Sequence, residues 1–525
     1  MGKKNKNKEK ISGSVKTAMK TEKKLSAKQK KELAAIGEDD IEKIVAQIEK
    51  DEAKRLKVVE AVIDQPSRRL NFTLSAHPFK DELIMIGGEF FDGQKTTVYG
   101  DMFFYNINKK TWTVMKAPGA PPPRCGHQTC TTSNNKGEIW VFGGEFTSPS
   151  QSQFYHYKDL WVYHIVDKKW EKITATGGPS ARSGHRMVYG KKQLIVFGGF
   201  HDNLRDFKYY NDLHIFDMTE YKWNKIDLTG SIPAPRSGCI VLPMSDNKIM
   251  VYGGYSKERV KKDVDKGQIH TDMFVIAQDK HDKTGLKWKS LMVKQSGIKF
   301  PPRCSSSGIL INQNFAYVFG GVCDDDDDND DEELNGTFYN DLFALDMEKY
   351  QWKSINLSGK KDPSLKKRRR KQDDDDDDDD ANDDEDNKEE MEITKTEPTV
   401  VTSDDGIFTV TLGPALSSTT NSIEEKKNNV FTPCPRISSG MVVKNNILYL
   451  YGGMYEDGDR QCTLNDFYSL DIHKLDEWQT ITTDDLSSVT WLDSDSDDSG
   501  SDDSGDTDTD NDNDDEDKED MEVDD

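Results

Sequence analysis

Long hydrophobic runs are missing from this chain. No stretch approaches the ~20 consecutive apolar residues that a bilayer span requires. The first thirty residues hold eleven lysines and no apolar run, so no secretory signal and no membrane attachment are expected. Cysteine is sparse and odd in number, seven in 525 residues, with no CxxC pair. Paired-cysteine zinc and dithiol motifs are therefore unsupported. A reducing intracellular compartment, cytoplasmic and/or nuclear, is the natural expectation. The ten histidines do not gather into a ligand pattern, and no nucleophile–base spacing is visible. The aspartate runs lack the glycine turn, closing glutamate and flanking helices of a calcium loop. The sequence predicts no enzyme, no cofactor and no metal.

What is abundant is charge, unevenly placed. Net charge is −25, from 71 basic and 96 acidic residues. Three tracts (324–333, 373–390 and 493–525) hold 42 of the acids, and without them the remainder carries a net +15. Such single-sign blocks cannot bury a core and are expected to be disordered. Lysines crowd residues 1–30, and Ile41, Ile44, Val45 and Ile48 then fall on one helical face. "KKRRRK" (366–371) resembles a nuclear import signal but abuts eight aspartates.

The phrase "QLIVFGGF" (193–200) resembles the strand and glycine turn of a dinucleotide site. That reading needs a helix next, because the anion sits on free helical N–H groups. The following segment instead contains another strand-like run, "DLHIFD". The glycines recur: Gly87–Gly88, Gly143–Gly144, Gly198–Gly199, Gly253–Gly254, Gly320–Gly321 and Gly452–Gly453 each close an apolar run. The first intervals are near 55 residues and the later ones are stretched. Each copy adds an upstream arginine, usually after proline: Arg68–Arg69, Arg124, Arg182, Arg236, Arg303 and Arg436. Downstream come an aspartate (Asp101, Asp159, Asp212, Asp272, Asp341, Asp466) and a tryptophan (Trp112, Trp170, Trp223, Trp288, Trp352, Trp478). A period of this size indicates propeller blades or solenoid units.

Six copies of Pro-Arg, Gly-Gly, Asp and Trp in fixed order resemble kelch repeats, across roughly residues 66–482. The resemblance implies an all-β fold, a six-bladed kelch β-propeller with a short N-terminal helix and disordered charged tails. It also implies that the twin glycines end the second strand beneath the neighbouring blade's large side chains, where no Cβ fits. The expected organisation begins with a lysine-rich leader (1–37) and a helical segment (38–64). A propeller (65–484) follows, with repeats near 66–116, 121–174, 179–228, 233–293, 300–357 and 432–483. It carries an acidic low-complexity insertion (355–431) and is followed by an acidic tail (485–525). Within the insertion, Gly406 separates two alternating runs that suggest a small hairpin.

With four strands a to d per blade running alternately up and down, the b–c and d–a connections emerge at one end. The a–b turns are short, whereas the b–c connections are long and rich in aromatic and charged groups. Candidate partner-binding residues are therefore Arg124, Arg182, Arg236, Arg303 and Arg436 at the d–a junctions. Tyr155, His156, Phe207, Arg259, Lys261 and Lys262 are the candidates on b–c connections. Exposed aromatics and arginines on a rigid scaffold suit recognition of a protein. The arginines have an alternative reading, in which they pair with blade carboxylates. The expected function is a monomeric, non-enzymatic interaction scaffold; the alternative is an RNA or ribonucleoprotein factor acting through residues 1–30.

Overall fold

The computed structural model describes residues 33, 38–203, 206–261, 264–324, 336–359, 399–402, 409–412, 430–457 and 460–484. The lysine-rich leader, most of the acidic insertion and the acidic tail lie outside these residues, as does Lys262.

Short apolar runs separated by tight turns become four-stranded antiparallel sheets. In the third repeat, Arg186–Gly190, Gln193–Phe197, Leu213–Asp217 and Lys222–Gly230 pair in sequence order. Lys191 and Lys192, at φ 50° and 61°, make the primed two-residue turn that matches strand twist. Leu194 to Phe197 are all buried, because this second strand is covered on both faces. The outermost strand alternates buried and exposed residues, with Trp223 buried and Lys222 and Lys225 in solvent. The other repeats follow the same strand order, the third and fourth joining edge to edge in one eight-stranded sheet, which gives the chain a propeller-like arrangement of blades.

One such sheet cannot cover its own faces, so blades must stack. Six apolar clusters do this, each shared by two neighbouring repeats. The d-strand tryptophan fills the interface with the preceding blade: Trp288 joins Ile195, Phe197 and Ile215 of the third blade. Its truncation would cost about 3–5 kcal/mol. The innermost strands touch in cyclic order, and the sixth (Gly440–Lys444) returns to the first (Thr73–Ala76). Phe72, Met85 and Trp112 meet Tyr449, Tyr451 and Phe467 there.

Open sheet edges invite unwanted pairing, and two of them are covered by the tail of the preceding blade. Asp227–Gly230 runs parallel to Lys287–Ser290, and Ser296–Gly297 to Gln351–Trp352. The first blade has no preceding tail in sequence. Strand β1 (Val59–Ile63) takes that place, antiparallel to Thr111–Lys116. This corrects the helix expected over 38–64. Helix α1 covers Ile41–Ala53 only, and the β-branched run after it pairs with an open edge instead. Within the insertion, Thr399–Thr402 pairs with Thr409–Leu412.

Around the axis, the residue two after each repeat arginine turns left-handed: Asn71, Gly126, Gly184, Gly238, Ser305 and Ser438 have φ between 52° and 60°. Their backbone groups link neighbouring blades, with Gly126 N–H bonding to Asn71 O at 2.9 Å and Gly184 N–H to Gly126 O at 3.0 Å. Gly238 N–H to Gly184 O, at 2.9 Å, continues this inner belt.

Candidate functional site

The b–c connections are two-stranded hairpins, not loose loops. They span Glu89–Phe91 with Thr96–Val98, Glu145–Thr147 with Phe154–His156, and Phe200–Asp202 with Phe207–Tyr209. Tyr255–Lys261 pairs with Val264–Ile269, and Val322–Asp324 with Gly336–Phe338. In the sixth blade, Ile447–Asp457 and Arg460–Asp471 simply run on past the sheet. Each hairpin base meets a d–a junction. The amides of Arg124, Arg182, Arg236 and Arg436 donate to the carbonyls of Tyr99, Tyr157, Tyr210 and Tyr339, at 2.9–3.1 Å. Hairpins and junctions thus occupy one end of the molecule.

The junction arginines do not present themselves to a ligand. Arg182 and Arg236 are 0% exposed, and Arg124, Arg303 and Arg436 are also buried. Each guanidinium grips its own blade at two points, the carbonyl of the first twin glycine and the repeat aspartate. Arg124 reaches Gly143 O at 3.0 Å and Asp159 at 2.8 and 3.1 Å; Arg436 reaches Gly452 O at 3.0 Å and Asp466 at 2.6 and 2.7 Å. Arg236 pairs with Asp272 and Arg303 with Asp341 in the same manner. Bidentate pairing of this kind is the strong, specific form of the arginine–carboxylate bond. The partner-binding expectation for these five arginines is corrected: burial and pairing make them braces. In the first blade Arg69 bonds Gly87 O at 3.0 Å.

The glycines complete the brace from the neighbouring blade. Gly88, Gly144, Gly199 and Gly321 donate N–H to the carbonyls of Arg124, Arg182, Arg236 and Arg436, at 2.9–3.0 Å. A Cβ on Gly87 would stand 2.4 Å from Arg124 O, and one on Gly143 would stand 2.8 Å from the His185 ring. The neighbour's backbone excludes a side chain as much as its large residues do. Sequence reasoning missed the Tyr-x-Asp step whose tyrosine stacks on the guanidinium, with Arg182 4.0 Å from the Tyr210 ring and Arg124 4.2 Å from Tyr157. Its signal was present, as Tyr99, Tyr157, Tyr210 and Tyr339 all stand two residues before the repeat aspartate.

The hairpin candidates divide. His156 is buried, its Nε2 accepting from the Asp202 amide at 3.0 Å and its ring 5.7 Å from Phe200, so it cements two hairpins and is corrected as a contact residue. Burial lowers its pKa to about 3. Glu145, 3.4 Å away, is pushed up to about 8 by burial and then by Glu89, against the hydrogen bond from Ser183. Between those values the contact is one of neutral groups, not an ion pair. Tyr155 is half-buried beneath α1, where Ile41 and Val45 pack on Phe146 and Tyr157. Phe207 is half-buried, and the Arg259 guanidinium lies 5.1 Å over its ring. Arg259 also bonds Asp265 at 3.1 Å. Lys257, Arg259 and Val260 are exposed along the fourth hairpin, which Lys261 extends. Among the described residues no group of three or more His, Cys, Asp or Glu side chains could hold a metal. None of the described helices is long and apolar enough to cross a membrane.

Buried arginines and twin glycines thus recur from blade to blade of the propeller-like arrangement. The family profile described as the KLHDC2/KLHL20/DRC7 Kelch-repeats domain matches residues 71–279, supporting the kelch-repeat family. Among relatives, acyl-CoA-binding domain-containing protein 5 of Arabidopsis thaliana is 27% identical over 190 residues, covering 36% of this chain and 27% of that protein. N-(sulfonatooxy)prop-2-enimidothioate sulfolyase of Thlaspi arvense is 24% identical over 288 residues, covering 52% of this chain and 76% of that one. The solved structure titled "Structure of YjhT" aligns with a TM-score of 0.45 at 14% identity, over 80% of this chain and 99% of that one. The chain spans about a quarter of the length of the first of these relatives.

Proposed function

We propose that this chain is a non-enzymatic interaction scaffold, a closed six-bladed propeller that binds a protein partner through its hairpin end. One observation carries the reading. Every blade extends its b–c connection beyond the sheet, and the third and fourth hairpins together expose Lys257, Arg259 and Val260 beside the Phe207 ring. Arginine and aromatic side chains on a rigid base are the types that dominate protein contacts. The phrases "LNFTLSAHPFKDELIMIGGEFFDGQKT" and "GGYSKERVKKDVDKG" resemble kelch domain-containing protein 4, a resemblance that brings no activity with it. The second of them is this fourth hairpin. The RNA alternative depends on residues 1–30, which lie outside the described residues. Affinity capture with full-length protein and with a variant lacking residues 1–64 separates the two. A protein partner kept by both supports the scaffold, whereas RNA recovered only with the leader supports the alternative.

A further inference from the structure

The axis of the molecule encloses a channel of about 510 Å³, walled by the first strands of all the blades. Its walls are apolar and neutral polar residues, among them Thr73, Gln128, Ser307 and Ile240. These four and Gly440 occupy one level, the fourth position after each repeat arginine. At that level the third blade places Arg186, and among the described residues no other ionised side chain lines the channel. His127, the lining histidine, is held neutral by burial, its pKa lowered to about 3.

Arg186 differs from every junction arginine. Those guanidinia each grip a carbonyl of their own blade, and all but Arg69 add a bidentate aspartate. Arg186 has one hydrogen bond, to the carbonyl of its own neighbour His185 at 3.2 Å. It has no carboxylate partner among the described residues. Arg186 is half-buried and lines the channel, and a guanidinium carries five donors, so most of them stand without a protein acceptor among the described residues. Nothing in the blade packing requires a cation there, since the same position holds threonine, isoleucine or glycine in other repeats.

We infer that the central channel is a binding site for a small organic oxoanion, a phosphate or carboxylate on a compact apolar body, with Arg186 as its anchor. The volume falls within the range of small-molecule sites, and such sites pair apolar walls with a few convergent polar groups. The hydroxyls and amide at the same level are neutral and would not repel the anion. This site is separate from the hairpin end and does not depend on the partner proposed there.

The test is calorimetric titration of the full chain with phenyl phosphate, benzoate and inorganic phosphate, using wild type, Arg186→Gln and Arg259→Gln. Saturable binding of phenyl phosphate or benzoate is expected, weakened at least about tenfold by Arg186→Gln and unchanged by Arg259→Gln. The tighter of the two names the head group. Inorganic phosphate should bind more weakly than phenyl phosphate, since it leaves the apolar walls unused. No saturable binding of either organic anion, or equal affinity in Arg186→Gln, overturns the inference. A second measurement needs no ligand. Arg186→Met should melt within about 2 °C of the wild-type temperature or above it, because Arg186 is half-buried and its single hydrogen bond to His185 O contributes little to folding. Marked destabilisation would make Arg186 a structural residue and overturn the assignment.

Discussion

Arg182 holds Asp212 through two bonds, at 2.6 and 3.0 Å, while the same guanidinium bonds the Gly198 carbonyl at 2.9 Å. One side chain thereby ties the start of a blade, the end of its second strand and the start of its third. Burial raises the Asp212 pKa, but hydrogen bonds from His214 and Arg182 outweigh it and hold the carboxyl well below its usual range. A folded-state pKa below the unfolded value stabilises above that unfolded value, near 4, and the gain is lost as pH falls through the folded one. Asp212→Asn should cost about 3 kcal/mol at neutral pH, because it leaves Arg182 buried and unpaired. It should also flatten the acid limb of a urea-midpoint-versus-pH curve.

The twin glycines set a second prediction. Gly198 has φ +66°, and a Cβ there would lie 2.7 Å from Arg236 O of the next blade. Gly198→Ala should destabilise by about 2 kcal/mol or more, combining left-handed strain with displacement of that carbonyl. Gly190→Ala is the control, since its Cβ would meet nothing within 4 Å. Urea unfolding of both variants reads the difference.

How much of this was legible in the sequence follows from what repeats. The blades were legible because Arg, Gly-Gly, Asp and Trp each serve one repeated contact, so a single constraint is written several times. The brace role of Arg124 and its counterparts was legible only as one of two readings. Spacing puts arginine and aspartate in one repeat but cannot say whether they meet. Strand β1 was obscured because Ile41 to Ile63 reads as one apolar-rich segment. Its division depends on an open edge at Thr111–Lys116, which is a tertiary fact. Arg186 gave no local signal at all. It follows a histidine in a strand-like run, and only closure of the ring turns that position into a channel wall.

Helix α1 docks by chemistry that titrates. Glu38 receives hydrogen bonds from the hydroxyls of Ser150 and Ser152, at 2.8 and 2.7 Å, and from Gln153 at 3.2 Å. Burial raises its pKa, but these bonds prevail and lower it to about 2. Docking should therefore be intact above about pH 4.5 and weaken as pH falls towards 2. Val45→Asp places a charge in the buried seam with Phe146 and should release the helix at all pH values. Limited proteolysis near residues 54–58 should accelerate by about tenfold or more, following the larger open population, with the blades intact.

Glu145 sets the alkaline side. Its folded pKa of about 8 stands above the unfolded value near 4.5. Its contribution is thus fully present below pH 4.5 and is lost as pH rises through 8. Glu145→Gln keeps the shape without the proton and should gain stability relative to wild type as pH rises from 6 to 9. Thermal melts across that range should show the wild-type curve falling more steeply. Parallel curves would place the Glu145 carboxylate in water.

The scaffold account is tested most directly by quantitative capture of the partner on full-length protein carrying Arg259→Glu, Lys261→Glu and Lys262→Glu together. The account predicts that recovery of a partner held by wild type falls by about tenfold or more, as expected when contact residues are reversed. The melting temperature should move by no more than about 2 °C, since the account assigns the three residues to binding and not to folding. Undiminished capture by the triple variant, or loss of binding only in step with loss of folding, would contradict it.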